Sequence, residues 1–375
     1  MKHFSYWETK HFIHHWDALI IGSGITGLTT GIFLKRKFPK WKIAILERGV
    51  LPSGASTRNA GFACFGSVSE ILDDLSTMPE KEVFELVAKR YEGLNLLRET
   101  LTDNQLDYKP TGGFEVFREG KEEIYEECLG SLSYINAELV QCIRKQAFKD
   151  ESKRVDEFGF SGVENMIVNE LEGTVDTGLM MKNLVSLARE SGVEIFNGVE
   201  VKELSTSGSN CILDTNIGEI LTDRTIVATN GFAQKLIPQV EVKPNRAQVL
   251  ITSPIKNLKW SGCFHHDRGY DYFRNIDGRV LIGGGRHLAK EAEQTDQEGI
   301  SNLIQTHLEK ILKDVILPEQ EFEIDMRWSG TMGMGDSKKY IAKQLNEHVY
   351  CAVRFGGMGV ALASSVSKSL VKLIN

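Results

Sequence analysis

Asp17-Ala-Leu-Ile-Ile-Gly22-Ser-Gly24-Ile-Thr-Gly27-Leu-Thr-Thr-Gly31 reads as one strand running through a glycine turn into one helix. The apolar run Ala18 to Ile21 is short and ends at glycine, as expected of a strand covered on both faces of a parallel sheet. Gly22 permits the tight turn, Gly24 lets a pyrophosphate approach the backbone, and Gly27 lets the helix pack closely on the strand. The helix start then offers free N–H groups and the positive end of its dipole to a phosphate.

A glycine pattern alone is weak, and the flanking residues strengthen it. The helical spacing of Leu28 to Phe38 stops at Pro39, and Lys42 to Leu46 reads as a second strand, completing a β-α-β unit. Glu47, twenty residues past Gly27, stands at the end of that strand, where a carboxylate accepts hydrogen bonds from ribose hydroxyls. The small, polar loop from Pro52 to Phe62 is too long for a simple turn and predicts a ligand lying along it.

Further along, Pro79 to Asp103 has helical periodicity, Thr111 to Arg118 reads as a strand, and Lys121 to Gln146 as one or two amphipathic helices. Gly159 to Val168 reads as another strand, and Asp176 or Thr177 as the cap of a helix over Leu179 to Glu190. Short strands follow at Val193–Phe196 and Val199–Val201, with a hairpin around Asn216–Gly218. The run Arg224 to Gly231 is again a short apolar strand ending in small residues, and is expected beside the first strand. Val242–Thr252, Gly269–Arg274 and Arg279–Arg286 predict a second, antiparallel sheet, and Asp296–Leu312 a helix. Tyr350 to Leu373 repeats the opening grammar of strand, glycine turn and helix.

The chain has 375 residues, more than one core usually supports, so two domains sharing one ligand are expected. A formal charge of -7 removes any global electrostatic reason to bind nucleic acid or an anionic membrane. No stretch approaches the length of a membrane-spanning helix, and no signal peptide is evident, which leaves cytoplasm as the expected location. Six cysteines without a C-x-x-C pair argue for free thiols and against a zinc site, so no metal is expected. His11, His14 and His15 lack acidic or cysteine partners at ligand spacing and read as surface residues.

Three strand-glycine units over the whole length, with an intervening domain between them, resemble the D-amino acid oxidase and glycine oxidase superfamily of flavoproteins. The resemblance implies an α/β fold: a discontinuous Rossmann-like FAD-binding domain over residues 1–105, 155–240 and 325–375, and an α+β substrate domain with a mixed or antiparallel sheet over 106–154 and 241–324. It implies that Gly22, Gly24, Ile25, Thr26 and Gly27 hold the FAD pyrophosphate, and that Glu47, beside Arg48, holds the ribose. The loop Ser53, Gly54, Ala55, Ser56, Thr57, Arg58, Asn59, Ala60 and Gly61 maps onto the segment passing under the flavin. It looks most like the loop of gamma-glutamylputrescine oxidase-like members, with Thr57 and Ala60 in place of glycines. Val201 maps onto the adenine contact. Ala228, Thr229, Asn230 and Gly231 map onto the stretch near the flavin, together with Gly330. Gly356, Gly357, Met358, Gly359 and Val360 map onto the turn facing the flavin pyrimidine. The absence of a cysteine over 327–340 implies non-covalent FAD.

The implied reaction is oxidation of the C–N bond of a primary or secondary amine or amino acid derivative by hydride transfer to flavin N5, giving an imine that hydrolyses. Oxygen or another acceptor would then take the electrons; the strand Arg279–Arg286 lacks the lysine that sarcosine oxidases use to promote reaction with oxygen. Where glycine oxidases carry a carboxylate-binding arginine this chain has Met332, which points to a larger amine. Arg274, Arg246, Arg327 and Arg58 are candidate substrate anchors, each equally able to serve as an ordinary ion-pair residue. Tyr272, with Tyr270 and Trp328, could shape an aromatic pocket. His265 and His266 read as a solvated turn. Three alternatives remain open: a flavin dehydrogenase of a 2-hydroxy acid or similar alcohol, an RNA-modifying amine oxidase domain, and a non-catalytic FAD-binding assembly or sensor protein.

Overall fold

The structure is a computed structural model and describes residues 4–208, 210–258 and 260–375. Its first layer is a six-stranded sheet in the order Ile341–Gln344, Val349–Val353, Thr225–Val227, Ala18–Ile21, Ile43–Glu47, Val193–Asn197. Every neighbouring pair is parallel except the edge strand Ile341–Gln344. The opening strand is central and fully buried because both of its faces are covered. Ala18 and Ile20 point to the helices Ile25–Lys37, Glu80–Thr100, Thr177–Glu190 and Gly359–Leu373. Leu19 and Ile21 point to the opposite face, against Cys211, Leu213 and Ile220 of a three-stranded antiparallel meander over residues 201–222. Each such leucine or isoleucine contributes about 1.5–3 kcal/mol by leaving water, which explains why the run carries no polar residue.

The second layer is an eight-stranded sheet in the order Ile324–Met334, Lys243–Thr252, Arg279–Gly284, Asp271–Ile276, Cys263–His266, Gly113–Arg118, Val163–Asn169, Phe148–Asp150. Its single parallel pair joins Cys263–His266 to Gly113–Arg118. Alternation sorts its residues between two surfaces. Phe114, Leu250, Phe264, Phe273 and Ile282 pack with the helix Asn302–Ile311, while Val249, Ile251, Leu281, Tyr272 and Trp328 meet Ala60 and Phe62 of the long loop.

Several expectations shift. Val163–Asn169 and all but the first residue of Ile324–Met334 fall inside the residue ranges expected for the FAD-binding domain, and both strands pair in the second sheet: the former lies against Gly113–Arg118 and the latter along the whole of Lys243–Thr252. The strand Cys263–His266 and the helix Val68–Thr77 were not legible as elements; the latter is set by a capping box between Ser67 and Glu70. The expected helix over 296–312 begins at Asn302, where the Ser301 hydroxyl accepts from Ile304 N–H. Among the described residues no helix is long and apolar enough to cross a membrane.

The glycine turn is constrained as its spacing suggests. Gly22 has φ +101°, and a Cβ on Gly27 would collide with the Gly22 carbonyl oxygen, a backbone atom that cannot move aside. A Cβ on Gly31, one helical turn on, would meet only side-chain methyl groups of Val193, Ile20 and Ile45 at 3.3–3.4 Å. Gly27→Ala is therefore expected to destabilise the protein by about 1–3 kcal/mol through overpacking. Gly31→Ala should stay within about 1 kcal/mol of the parent, because its crowding is offset by better helix propensity. Urea titrations of both variants check the pair, and equal midpoints would contradict the close-approach argument.

Candidate functional site

One cleft of about 480 Å³ runs between the two sheets. Residues from both ends of the chain and from the long loop line it. At one end stands the start of helix Ile25–Lys37, preceded by Gly24, which has no side-chain cap; no acidic residue occupies the first turn. Of its N–H groups, that of Ile25 donates to Ser56 Oγ at 3.0 Å. Beside it the buried Glu47 carboxylate accepts from Ser23 N–H at 3.1 Å, Ser23 Oγ at 2.6 Å and Gly49 N–H at 2.8 Å. At the other end, helix Gly359–Leu373 likewise begins uncapped behind Gly356–Met358. Two positive dipole ends thus open on one cavity, a charge pattern that suits a long ligand with negative charge at both ends.

The two helices are held in register by small polar residues. Thr29 Oγ1 donates to Ser367 Oγ at 2.9 Å, and Ser367 Oγ donates to the Thr26 carbonyl at 3.1 Å. Asn230, in the left-handed region at φ 45°, accepts through Oδ1 from Arg354 N–H at 3.0 Å. This ties the end of strand Thr225–Val227 to the terminal turn.

The long loop contains a single helical turn, Ala55–Arg58, and is fixed from every side. The Asn59 amide donates to the Ala55 and Ser56 carbonyls, while its Oδ1 accepts from Gly61 N–H and Thr177 Oγ1, both at 2.9 Å. Trp328 Nε1 donates to the Arg58 carbonyl at 3.0 Å. Arg274 Nη1 donates to the Gly61 carbonyl at 2.6 Å and the Val175 carbonyl at 2.7 Å.

That last contact corrects a reading from sequence. Arg274 is buried and spends its guanidinium on loop carbonyls rather than on the cleft. Arg327 pairs with Glu309 at 2.8 Å and Gln305 at 2.7 Å, and Arg246 binds Glu293 through two nitrogens, so neither is free for a substrate. Arg58 does reach the cleft, but its nitrogens already meet the Ser53 and Ser329 carbonyls and Glu298. Tyr272 lines the cleft with its ring edge-on to Phe62 at 5.5 Å, and burial raises its phenol to about 12. Asp176 caps its helix, accepting from Leu179 N–H.

Of the residues assigned to cofactor binding, Gly27, Thr57, Gly61 and Gly231 do not line the cleft. Gly27 lies under the turn, the Thr57 hydroxyl turns back to the Gly54 carbonyl, the Gly61 carbonyl faces Arg274, and Gly231 packs on Met332. The remainder do line it, from Gly22 and Glu47 through Ser53–Ser56, Val201 and Ala228–Asn230 to Gly330 and Gly356–Val360. His265 and His266 are not a solvated turn. They sit in strand Cys263–His266, where His265 is 8% exposed and faces the cleft.

Arg286 is not among the anchors expected from sequence. It lines the cleft, half-buried, and its one side-chain hydrogen bond among the described residues is a long 3.5 Å approach to Asn245 Oδ1. Among the described residues it forms no ion pair, whereas Arg268 and Lys338, also on the cleft, face Asp73 and Asp74. Only its place at the end of an inward-facing strand distinguishes it from other arginines, and strand order is a tertiary fact.

The profile of the DAO family, described as FAD dependent oxidoreductase, matches residues 17–373. A probable oxidoreductase OrdL of Rhizobium meliloti (strain 1021) is 24% identical over 95% of this chain and 82% of its own. Glycine oxidase of Bacillus subtilis (strain 168) is 22% identical over 96% of this chain and 93% of its own. Among solved structures, L-proline dehydrogenase from P. horikoshii superimposes with a TM-score of 0.77 at 17% identity, covering 96% of this chain and 94% of that one. With a match over nearly its whole length, the chain belongs to the DAO family of FAD-dependent oxidoreductases.

Proposed function

We propose that the protein oxidises the C–N bond of an amine that also carries a carboxylate, with Arg286 as the carboxylate anchor. The carrying observation is the unpaired guanidinium on the cleft wall beside aromatic and methionine side chains. A planar guanidinium can bind a carboxylate through two parallel hydrogen bonds, and partial burial strengthens them. Two of the three named proteins, a glycine oxidase and an L-proline dehydrogenase, are named for amino-carboxylates, which supports this class. Met332 and Met334 on the same wall give a soft, adaptable boundary, in keeping with an amine larger than glycine.

FAD, when bound in the cleft, supplies the two-electron acceptor for a hydride leaving the carbon next to nitrogen. The chain's own residues do the rest. The uncapped start of helix Ile25–Lys37 and Glu47 fit the pyrophosphate and ribose, and the start of helix Gly359–Leu373 fits an electron-rich ring edge. Phe62 and Tyr272 exclude water from one side. No cysteine lies over residues 327–340, which supports non-covalent FAD, and the six free thiols support a reducing, cytoplasmic setting. We further propose two domains sharing this cleft, as expected from sequence, with the strands Val163–Asn169 and Ile324–Met334 moved to the substrate domain because they pair in its sheet.

Anaerobic bleaching of the flavin by a panel of amino acids, N-substituted amino acids, γ-glutamyl amines and 2-hydroxy acids tests the reaction. Bleaching by amino-carboxylates is expected, and bleaching by hydroxy acids alone would overturn the reading. Arg286→Ala should raise KM for such a substrate by about 10- to 100-fold, the scale of a lost charge-assisted hydrogen bond. Arg286→Lys should recover only part of it, and an unchanged KM in the alanine variant would remove Arg286 from the site. Glu47→Ala is expected to weaken FAD retention by about tenfold or more, read by flavin fluorescence during dilution; an unchanged dissociation constant would remove the ribose assignment.

A further inference from the structure

Strand Cys263–His266 sends Phe264 into the helix-covered core and, by alternation, Cys263 and His265 to the other face. A two-stranded ribbon pairs Phe62 with Thr174 and Ala63 with Gly173. The next position along that ladder sets Cys64 opposite Glu172. All four side chains are buried, none more than 8% exposed. Cys64 Sγ and Cys263 Sγ are 3.5 Å apart, and one ligand atom from each of Cys64, Glu172 and His265 lies within 4.8 Å of the others. Tetrahedral zinc, with Zn–S of about 2.3 Å and Zn–N or Zn–O of about 2.0–2.1 Å, sets ligand separations of roughly 3.3–3.8 Å. The two thiols already meet that spacing, Glu172 and His265 need to close on Cys64 by up to roughly 1 Å, and Cys263, which lies outside the mutual 4.8 Å of the other three, has to move further toward them.

Two further features point to a cation held by thiolates. Nε2 of His265 is buried without a hydrogen-bond partner, so its lone pair or proton is unsatisfied. Arg274, directly opposite Cys263 in the ladder, is a buried guanidinium whose partners are backbone carbonyls; no carboxylate pairs with it among the described residues. A buried cation without a counter-charge is costly. Two thiolates and one carboxylate on a dication would leave one negative charge beside it. The Glu172 carboxylate is already oriented, since Oε1 accepts from Phe65 N–H at 2.6 Å and Gly66 N–H at 3.1 Å.

We propose that Cys64, Cys263, His265 and Glu172 form a structural zinc site in the wall of the cleft that staples the end of the FAD loop to the second sheet. Each thiol, and the Glu172 carboxyl that burial pushes up to about 8, loses its proton to solvent as its bond to zinc forms, and zinc keeps its oxidation state. The expectation from sequence that no metal is bound rested on the lack of close cysteine spacing; here the ligands lie up to about two hundred residues apart and meet through sheet pairing.

The test uses the FAD-loaded protein, purified with and without added zinc chloride, passed through a chelator and desalted, then assayed by elemental mass spectrometry. About one zinc per chain is expected, falling at least tenfold in Cys263→Ser and Glu172→Gln, neither of which lines the cleft, at undiminished FAD content. Replacement of zinc by cobalt(II) in the unmutated chain should give tetrahedral thiolate d–d bands to the red of the flavin absorption, which keeps the proposal testable if the variants fail to fold. A zinc-free protein that takes up neither metal overturns it, as does a Cys64–Cys263 disulfide found by alkylation and intact mass, or zinc retained at full stoichiometry in both variants.

Discussion

A buried guanidinium holds the molecule's two layers together. Arg274 projects from the middle of the eight-stranded sheet and donates to the Gly61 and Val175 carbonyls, which belong to the loop and the segment leading into helix Thr177–Glu190. Burial lowers its pKa from the usual arginine range, yet hydrogen bonds to ordered carbonyls favour the charged form and make the contact directional. Trp328 and Arg58 add bonds of the same kind between sheet and loop. Without this clamp the loop would keep its Asn59 contacts, the Ile25–Ser56 bond and the ribbon pairing, but would lose its ties to the eight-stranded sheet.

The cleft's electrostatics come from backbone more than from side chains. Two helices point uncapped N-termini into it, and the charged groups on the rim are mostly paired: Lys338 with Asp73 and Asp74, Arg268 with Asp73, Arg58 with Glu298. Dipoles fixed by secondary structure need no reorganisation when a charged ligand arrives, whereas long flexible side chains do. Of the arginines on the cleft, Arg48 and Arg286 form no ion pair among the described residues, and of these two Arg286 is the half-buried one.

Sheet alternation links the FAD cleft to its surroundings. On adjacent strands, Cys263 and His265, then Tyr272 and Arg274, share one face, while Phe264 and Phe273 stack at 4.9 Å on the other. The aromatic cluster on the far side, with Phe114, Phe158, Phe160 and Trp260, makes that face rigid. A one-residue slip would exchange the two sets, so the same packing that stabilises the sheet fixes which side chains reach the ligand.

The sequence by itself determined the dinucleotide half of this protein. Short apolar runs ending in glycine, with helical periodicity behind them, are local signals, and Ala18–Ile21, Thr225–Val227 and Val349–Val353 assembled side by side as their shared character implied. Gly22 and Glu47 were legible because turn geometry and the end of the next strand lie within one β-α-β unit. The second sheet was decided by tertiary structure. Ile324–Met334, with its glycines and mixed polarity, reads as no element until Lys243–Thr252 lies against it, and Cys263–His266 is a strand through its neighbours. Which arginines are free could not be read locally either. Arg274, Arg327 and Arg246 are consumed by carbonyls and carboxylates remote in sequence, while Arg286 is left facing the cleft, because pairing depends on which groups long-range packing brings within hydrogen-bond reach.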